Sequence, residues 1–136
     1  MFRILIADDD PVQLELRRHM MEAAGYDVAL AFCPAEALRQ IGSADVVVMD
    51  LRFPNAAGKA DPAEGLELIR RIRERGYAGP LIVLSGWPEE LDEQPELRLV
   101  SSIMIKPVGM AALLSAIRHS LMEVSAPFPN PPSTGL

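Results

Sequence analysis

The chain has 136 residues, 49% of them hydrophobic and 24% charged, a balance that suits one domain with a packed core. Its formal net charge of -6 argues against direct contact with nucleic acid, whose phosphates select basic surfaces. No stretch approaches the roughly 20 apolar residues of a membrane span, so no membrane insertion is expected. The short apolar start is cut off by three aspartates, so no signal peptide is expected there. The lone Cys33 cannot form an internal disulfide, and a reducing, cytoplasmic setting is the expectation.

Ile4–Ala7 is the first apolar run and reads as a strand. A helix is expected from about Pro11 to Ala24, with Asp10 as N-cap, Pro11 as first residue and Gln13 as capping-box partner. Its expected buried stripe is Val12, Leu16, Met20 and Ala23. A weaker strand, Tyr26 to Ala31, follows Gly25, and a short helix fits Pro34 to Ile41. Val46–Met49 is the next strand. The segment Asn55–Glu64 reads as a loop, ending in the cap, proline and acid of Asp61, Pro62 and Glu64. The helix that follows carries the stripe Leu66, Ile69 and Ile72.

Leu81–Leu84 is a further strand. Pro88 to Leu97 is acidic, poor in apolar residues and interrupted by Pro95, so one or two turns are expected rather than a full helix. Ile103–Ile105 is the last strand, and Met110 to Met122 is a helix with Leu113, Leu114, Ile117 and Leu121 inward. Residues 1–123 are expected to form one domain and 124–136 a proline-rich tail holding Pro127, Pro129, Pro131 and Pro132. Consecutive apolar positions suit strands covered on both faces. Strand–helix alternation repeated along the chain implies an α/β doubly wound parallel sheet.

Ligands in such sheets bind beyond the carboxyl ends of the strands. Here those ends carry Asp8-Asp9-Asp10, Asp50, Ser85 and Lys106-Pro107. Asp8, Asp9 and Asp50 would repel one another in a confined site, and a hard cation such as Mg²⁺ (or Mn²⁺) relieves that repulsion. An aspartate beside such a cation can attack phosphorus, giving an aspartyl phosphate. Lys106 would hold one phosphoryl oxygen and Ser85 another, while Gly86 leaves a donor room. The expected chemistry is phosphoryl transfer with the protein as acceptor.

Five segments carry a family resemblance: Ile4-Leu5-Ile6-Ala7-Asp8-Asp9-Asp10, Val46-Val47-Val48-Met49-Asp50 with Pro54 beyond it, Gly65-Leu66-Glu67-Leu68-Ile69-Arg70, Leu81-Ile82-Val83-Leu84-Ser85-Gly86 and Lys106-Pro107. In order, spacing and strand position they resemble the receiver domains of two-component response regulators, over roughly residues 3 to 122. The resemblance implies a flavodoxin-like three-layer sandwich, its five parallel strands in the order 2-1-3-4-5, with a weak fourth helix here. It implies Asp50 as phosphoacceptor. Asp9, Asp50 and the Arg52 backbone carbonyl would ligate the metal directly, and Asp8 would act through a metal-bound water. Ser85 and Lys106 would hold the phosphoryl group, and the Lys106-Pro107 peptide would be cis. The donor would be a sensor histidine kinase or a histidine phosphotransfer protein, and output would pass to a downstream protein through contacts.

The chain departs from the family in three places: a longer loop at Asn55–Glu64, the weak fourth helix, and Ile103 where an aromatic usually switches. Output is therefore expected through Asn55–Glu64 or Trp87–Ser101. The resemblance implies that Arg52 and Trp87, two positions beyond Asp50 and Ser85, would flank the path of the hydrolytic water, and slow self-dephosphorylation is expected. Other features have plainer readings: Asp10 as a helix cap, His19 and His119 as solvated, the run Glu89 to Glu93 as an acidic face. A flavin-binding domain would need a hydroxyl- and glycine-rich loop where the three aspartates stand. An aspartate-nucleophile phosphatase would need its nucleophile on the first strand with a second acid two residues after it, whereas Asp50 is a single isolated aspartate at the third strand.

Overall fold

The computed structural model describes residues 1–91 and 93–125. In chain order the elements are β1 (Arg3–Ala7), α1 (Pro11–Ala23), β2 (Asp27–Ala31), α2 (Pro34–Gln40), β3 (Val46–Asp50), β4 (Phe53–Pro54), β5 (Ala60–Asp61), α3 (Pro62–Glu74), β6 (Leu81–Ser85), β7 (Ser102–Ile105) and α4 (Met110–Ser125). Short 3₁₀ turns lie at Ile41–Ser43, Pro88–Leu91 and Pro95–Leu99. Thus α4 reaches two residues into the segment expected as a tail, and residues 126–136 of that tail lie outside the described residues.

The main sheet runs β2-β1-β3-β6-β7 with every pairing parallel, the strand order expected from the sequence. Side chains alternate across it because the strand period is two. Leu5, Val47, Met49, Leu81 and Val83 face one way, toward Leu38 of α2 and Leu68, Ile69 and Ile72 of α3. Ile4, Ile6, Val46, Val48, Ile82 and Leu84 face the other way, toward Leu14 and Met21 of α1 and Leu113, Ile117 and Leu121 of α4. Each such buried aliphatic contributes about 1.5–3 kcal/mol of transfer free energy, so the three central strands hold the layers together.

Four sequence expectations are corrected. The stripe Val12, Leu16, Met20 and Ala23 is exposed, not buried. Instead α1 turns Leu14 and Met21 inward, with Arg17 and Arg18 half-buried beside them. Those two arginines mislead an amphipathic reading, which assigns cations to solvent. The capping box is incomplete as well. Asp10 accepts from the Val12 and Gln13 amides, but its own N–H donates to Asp8 Oδ1 at 3.0 Å.

The third correction concerns β7. It is an edge strand, with Ile103 and Ile105 37% and 44% exposed. Met104 packs toward α1 and α4, so its two neighbours lie on the opposite face. Among the described residues the chain between β6 and β7 forms two 3₁₀ turns and no α-helix. The few turns expected at Pro88 to Leu97 are thus what forms, and their brevity is why the edge stays open.

Last, Asn55–Glu64 is more ordered than a plain loop. β4 and β5 pair antiparallel, with Phe53 opposite Asp61 and Pro54 opposite Ala60. Asn55 organises the turn: its Oδ1 accepts from the Ala57 and Lys59 amides at 2.9 and 3.1 Å, and its Nδ2 donates to Asp61 at 3.1 Å. An asparagine that replaces ladder bonds in this way is a common turn device. Gly58, at φ 80°, takes the left-handed position next to it.

Candidate functional site

Strand register brings the polar residues together. Ala7 pairs with Met49, so the next residues, Asp8 and Asp50, leave the sheet side by side. Asp50 pairs with Leu84, which sets Ser85 one step beyond it, and Ser85 in turn pairs with Ile105, which precedes Lys106. Lys106 N–H also donates to the Ser85 carbonyl at 2.7 Å, tying the last two strand ends. The Lys106-Pro107 peptide is cis.

Asp8, Asp50 and Ser85 are 2%, 8% and 1% exposed, while Asp9 stands in solvent. Asp8, Asp9 and Asp50 each offer a carboxylate oxygen, and these oxygens lie within 4.8 Å of one another. Such crowding of like charge in a partly dry place is unfavourable unless a cation joins it. Burial, and to a lesser degree the Asp8 charge, pushes the Asp50 carboxyl above its usual range, while Lys106 pulls it back. Partial desolvation and the Asp8 charge likewise raise Asp9, although its side chain is exposed. The donor set fits a hard, oxygen-loving divalent cation: carboxylates only, one of them open to water.

Two cations already serve this cluster. Lys106 Nζ lies 2.9 Å from Asp50 Oδ1, which also accepts from the Leu51 amide at 2.9 Å. Arg17 Nη1 lies 3.0 Å from Asp8 Oδ2. Arg17 was not singled out from the sequence. The signal that could have found it is the pair Leu14 and Met21, seven apart: placing both inward puts Arg17 between them, facing Asp8.

Two residues beyond Asp50 and Ser85, the Arg52 guanidinium stacks on the Trp87 ring at 4.9 Å from its centroid. Trp87 is anchored from below, its amide donating to Ser85 Oγ at 3.2 Å. Asp10 stays a helix cap. His19 is exposed and His119 pairs only with Glu123 among the described residues, so neither joins the site.

A family model for the response regulator receiver domain matches residues 4–118. The chain belongs to this family. Receiver domains are signalling modules of two-component systems rather than classical enzymes, and the family binds Mg²⁺. Among curated proteins the chain is 32% identical over 130 residues to the transcriptional regulatory protein AruR of Pseudomonas aeruginosa, covering 90% of this chain and 50% of AruR. It is 33% identical over 127 residues to GlrR of Escherichia coli, covering 91% of this chain and 27% of GlrR. This chain therefore spans half or less of those relatives' length.

Among solved structures, a CheY-like receiver domain protein from Methanospirillum hungatei aligns with a TM-score of 0.78 at 27% identity, over 90% of this chain and 95% of that one. TrrA of Thermotoga maritima, solved in complex with Mg²⁺ and BeF, aligns with a TM-score of 0.74 at 24% identity over 88% and 98%. The likeness to TrrA bears on the fold alone. The receiver fold with its five-stranded sheet is thus shared widely, and no helix among the described residues is long and apolar enough to cross a membrane.

Proposed function

We propose that this receiver domain accepts a phosphoryl group on Asp50 from a phosphohistidine of a sensor kinase or phosphotransfer protein, and passes the signal on through protein contacts. The observation that carries this reading is the convergence at one buried strand edge: Asp50 in an ion pair with Lys106, and two further carboxylates within 4.8 Å. Asp50 Oδ1 is engaged by the Leu51 amide and Lys106, so Oδ2 is assigned as the oxygen that attacks phosphorus. As it bonds to phosphorus, the phosphorus–nitrogen bond of the donor breaks and its electron pair returns to the imidazole. Lys106 then swings to a phosphoryl oxygen, and the Ser85 hydroxyl donates to another.

Asp9, Asp50 and the Arg52 carbonyl would hold Mg²⁺ or Mn²⁺ directly, with Asp8 reaching it through water; when bound, the metal neutralises charge on the transferring group. The test is intact-mass measurement after incubation with Mg²⁺ and a small phosphodonor. Gain of one phosphoryl group is expected, and an unchanged mass in functional donor mix would end the proposal.

Metal dependence makes a separate prediction. Chelation should abolish labelling, and labelling that persists in chelator removes the metal from the scheme. Asp8→Ala should weaken Mg²⁺ binding about tenfold, the effect of losing an outer-shell carboxylate, and Asp9→Ala should weaken it further. The fluorescence of Trp87, the one tryptophan, reports both titrations from beside Ser85.

The Arg52–Trp87 stack predicts a long-lived phosphorylated state. Hydrolysis needs water in line with the breaking bond, and neither side chain is a base that could activate it. Trp87→Ala and Arg52→Asn should each speed phosphoryl loss about two- to fivefold, the rate equivalent of a contact worth about 0.5–1 kcal/mol. Equal loss rates in wild type and both variants would show that the stack shields nothing.

A further inference from the structure

The buried face of α1 holds a charge where a core residue would serve packing equally well. Arg17 lies between Leu14 and Met21, and its side chain is only 12% exposed. Burying a guanidinium is unfavourable unless it meets an opposite charge with good geometry. It meets Asp8, whose side chain is 3% exposed, at 3.0 Å. The second Asp8 oxygen is held independently by the Asp10 amide at 3.0 Å.

We propose that Arg17 is a resident countercharge for the acid cluster, stabilising the metal-free protein and setting its divalent-cation affinity below that of the carboxylates alone. This inference rests on the metal role proposed above. The guanidinium bonded to Asp8 would stand one carboxylate and one water away from a cation held by the cluster. It repels that cation, and it withdraws negative charge from Asp8. The opposing effect, that Arg17 orients Asp8 for the metal, is the weaker one, because the Asp10 amide and burial keep that carboxylate in place without it. A fixed positive charge a few ångströms from a divalent ion changes affinity on the order of tenfold at low ionic strength. Arg17 therefore acts as a positioning and charge-setting residue: it touches Asp8, not the phosphoryl group.

The experiment is Mg²⁺ titration of the full chain by Trp87 fluorescence, paired with thermal melting in chelator and in saturating Mg²⁺. Arg17→Met should bind Mg²⁺ about three- to tenfold more tightly than wild type, melt lower in chelator, and recover part of that loss when Mg²⁺ is added. Arg17→Gln, which keeps a polar donor near Asp8, serves if the methionine variant does not fold, and should also bind more tightly. Arg17→Lys keeps the charge and should stay near wild-type affinity. The gain in the neutral variants should shrink as monovalent salt is raised, which a purely structural role would not produce. Unchanged or weaker Mg²⁺ binding in both neutral variants, or Arg17→Lys behaving like Arg17→Met, overturns the inference. A wild type that binds no Mg²⁺ overturns the metal role itself, and this inference with it.

Discussion

Asp50→Ala is expected to abolish phosphoryl uptake entirely, with the protein still folded. The expected loss is total because Asp50 is the one cluster carboxylate paired with Lys106, the cation proposed to hold the phosphoryl group. Asp8 and Asp9 lack that partner among the described residues and should not substitute. Folding itself should survive, and the reason is the sign of the Asp50 shift. A carboxyl whose folded-state pKa is raised adds stability only while protonated, and costs stability once pH rises through the folded value. Burial raises Asp50 in this way, so at neutral pH the ionised group is a net cost that the alanine removes. Lys106 is a third exposed and can be solvated when its partner goes. Intact mass with Mg²⁺ and a small phosphodonor, alongside a melting curve, checks both halves. Labelling of Asp50→Ala at the wild-type level would move the acceptor elsewhere. Lost labelling together with lost folding would leave the variant uninformative, and Asp50→Asn, nearly isosteric, then decides.

Gly65→Ala should be the most damaging of the glycine-to-alanine changes among the described residues. Gly65 lies in the first turns of α3, where the helix rests on the backbone just after Asp50. A Cβ there would come within 2.7 Å of Leu51 Cα and 2.6 Å of its carbonyl carbon, and closer still to the oxygen. Those atoms are main chain and cannot rotate away, so either α3 lifts or the segment after β3 shifts. Overpacking of this kind costs about 1–3 kcal/mol, and a backbone clash belongs at the upper end. Alanine regains only about 0.5–1 kcal/mol in helix propensity, too little to change the sign. The melting midpoint should fall by roughly 8–12 °C. Because the displaced backbone adjoins Asp50, labelling should slow as well. Gly42→Ala is the control: nothing lies within 4 Å of a Cβ there, and its midpoint should hardly move. A Gly65→Ala protein as stable as wild type would mean that the helix yields easily at this contact.

The candidate site was legible because its residues all stand at strand ends. A strand that runs apolar for four residues and then turns acidic declares both its direction and its exit point. In a parallel sheet those exits share one edge. Asp8, Asp9, Asp50, Ser85 and Lys106 could therefore be grouped before any distance was known. The helix caps Asp10 and Asp61 were equally plain, each followed by proline. The exposure of the edge strand was not. Ile103 and Ile105 look like core in sequence, and only the brevity of the turns at Pro88–Leu91 and Pro95–Leu99 leaves them open. The hairpin β4–β5 was missed because its two-residue strands carry no alternation to detect; Asn55 and Gly58 were the only signs.

By itself, then, the sequence determined the alternating α/β order, the strand ends and the set of polar groups delivered to them, because periodicity and caps are local properties. What tertiary structure alone decided was which face of α1 is inward, whereas α3 and α4 bury residues of the stripes expected for them. In α1 the apolar stripe Val12, Leu16 and Met20 and the face with Arg17 and Arg18 are opposite sides of one helix. Hydrophobic transfer alone favours burying the first. The helix nevertheless packs through Leu14 and Met21, whose burial against Ile4, Ile6 and the α4 side chains is matched by the Arg17–Asp8 bond beneath them. That bond joins residues whose proximity depends on the helix folding back over its own strand. A local pattern can turn Arg17 inward with Leu14 and Met21, but that it meets Asp8 there follows only from the packed structure.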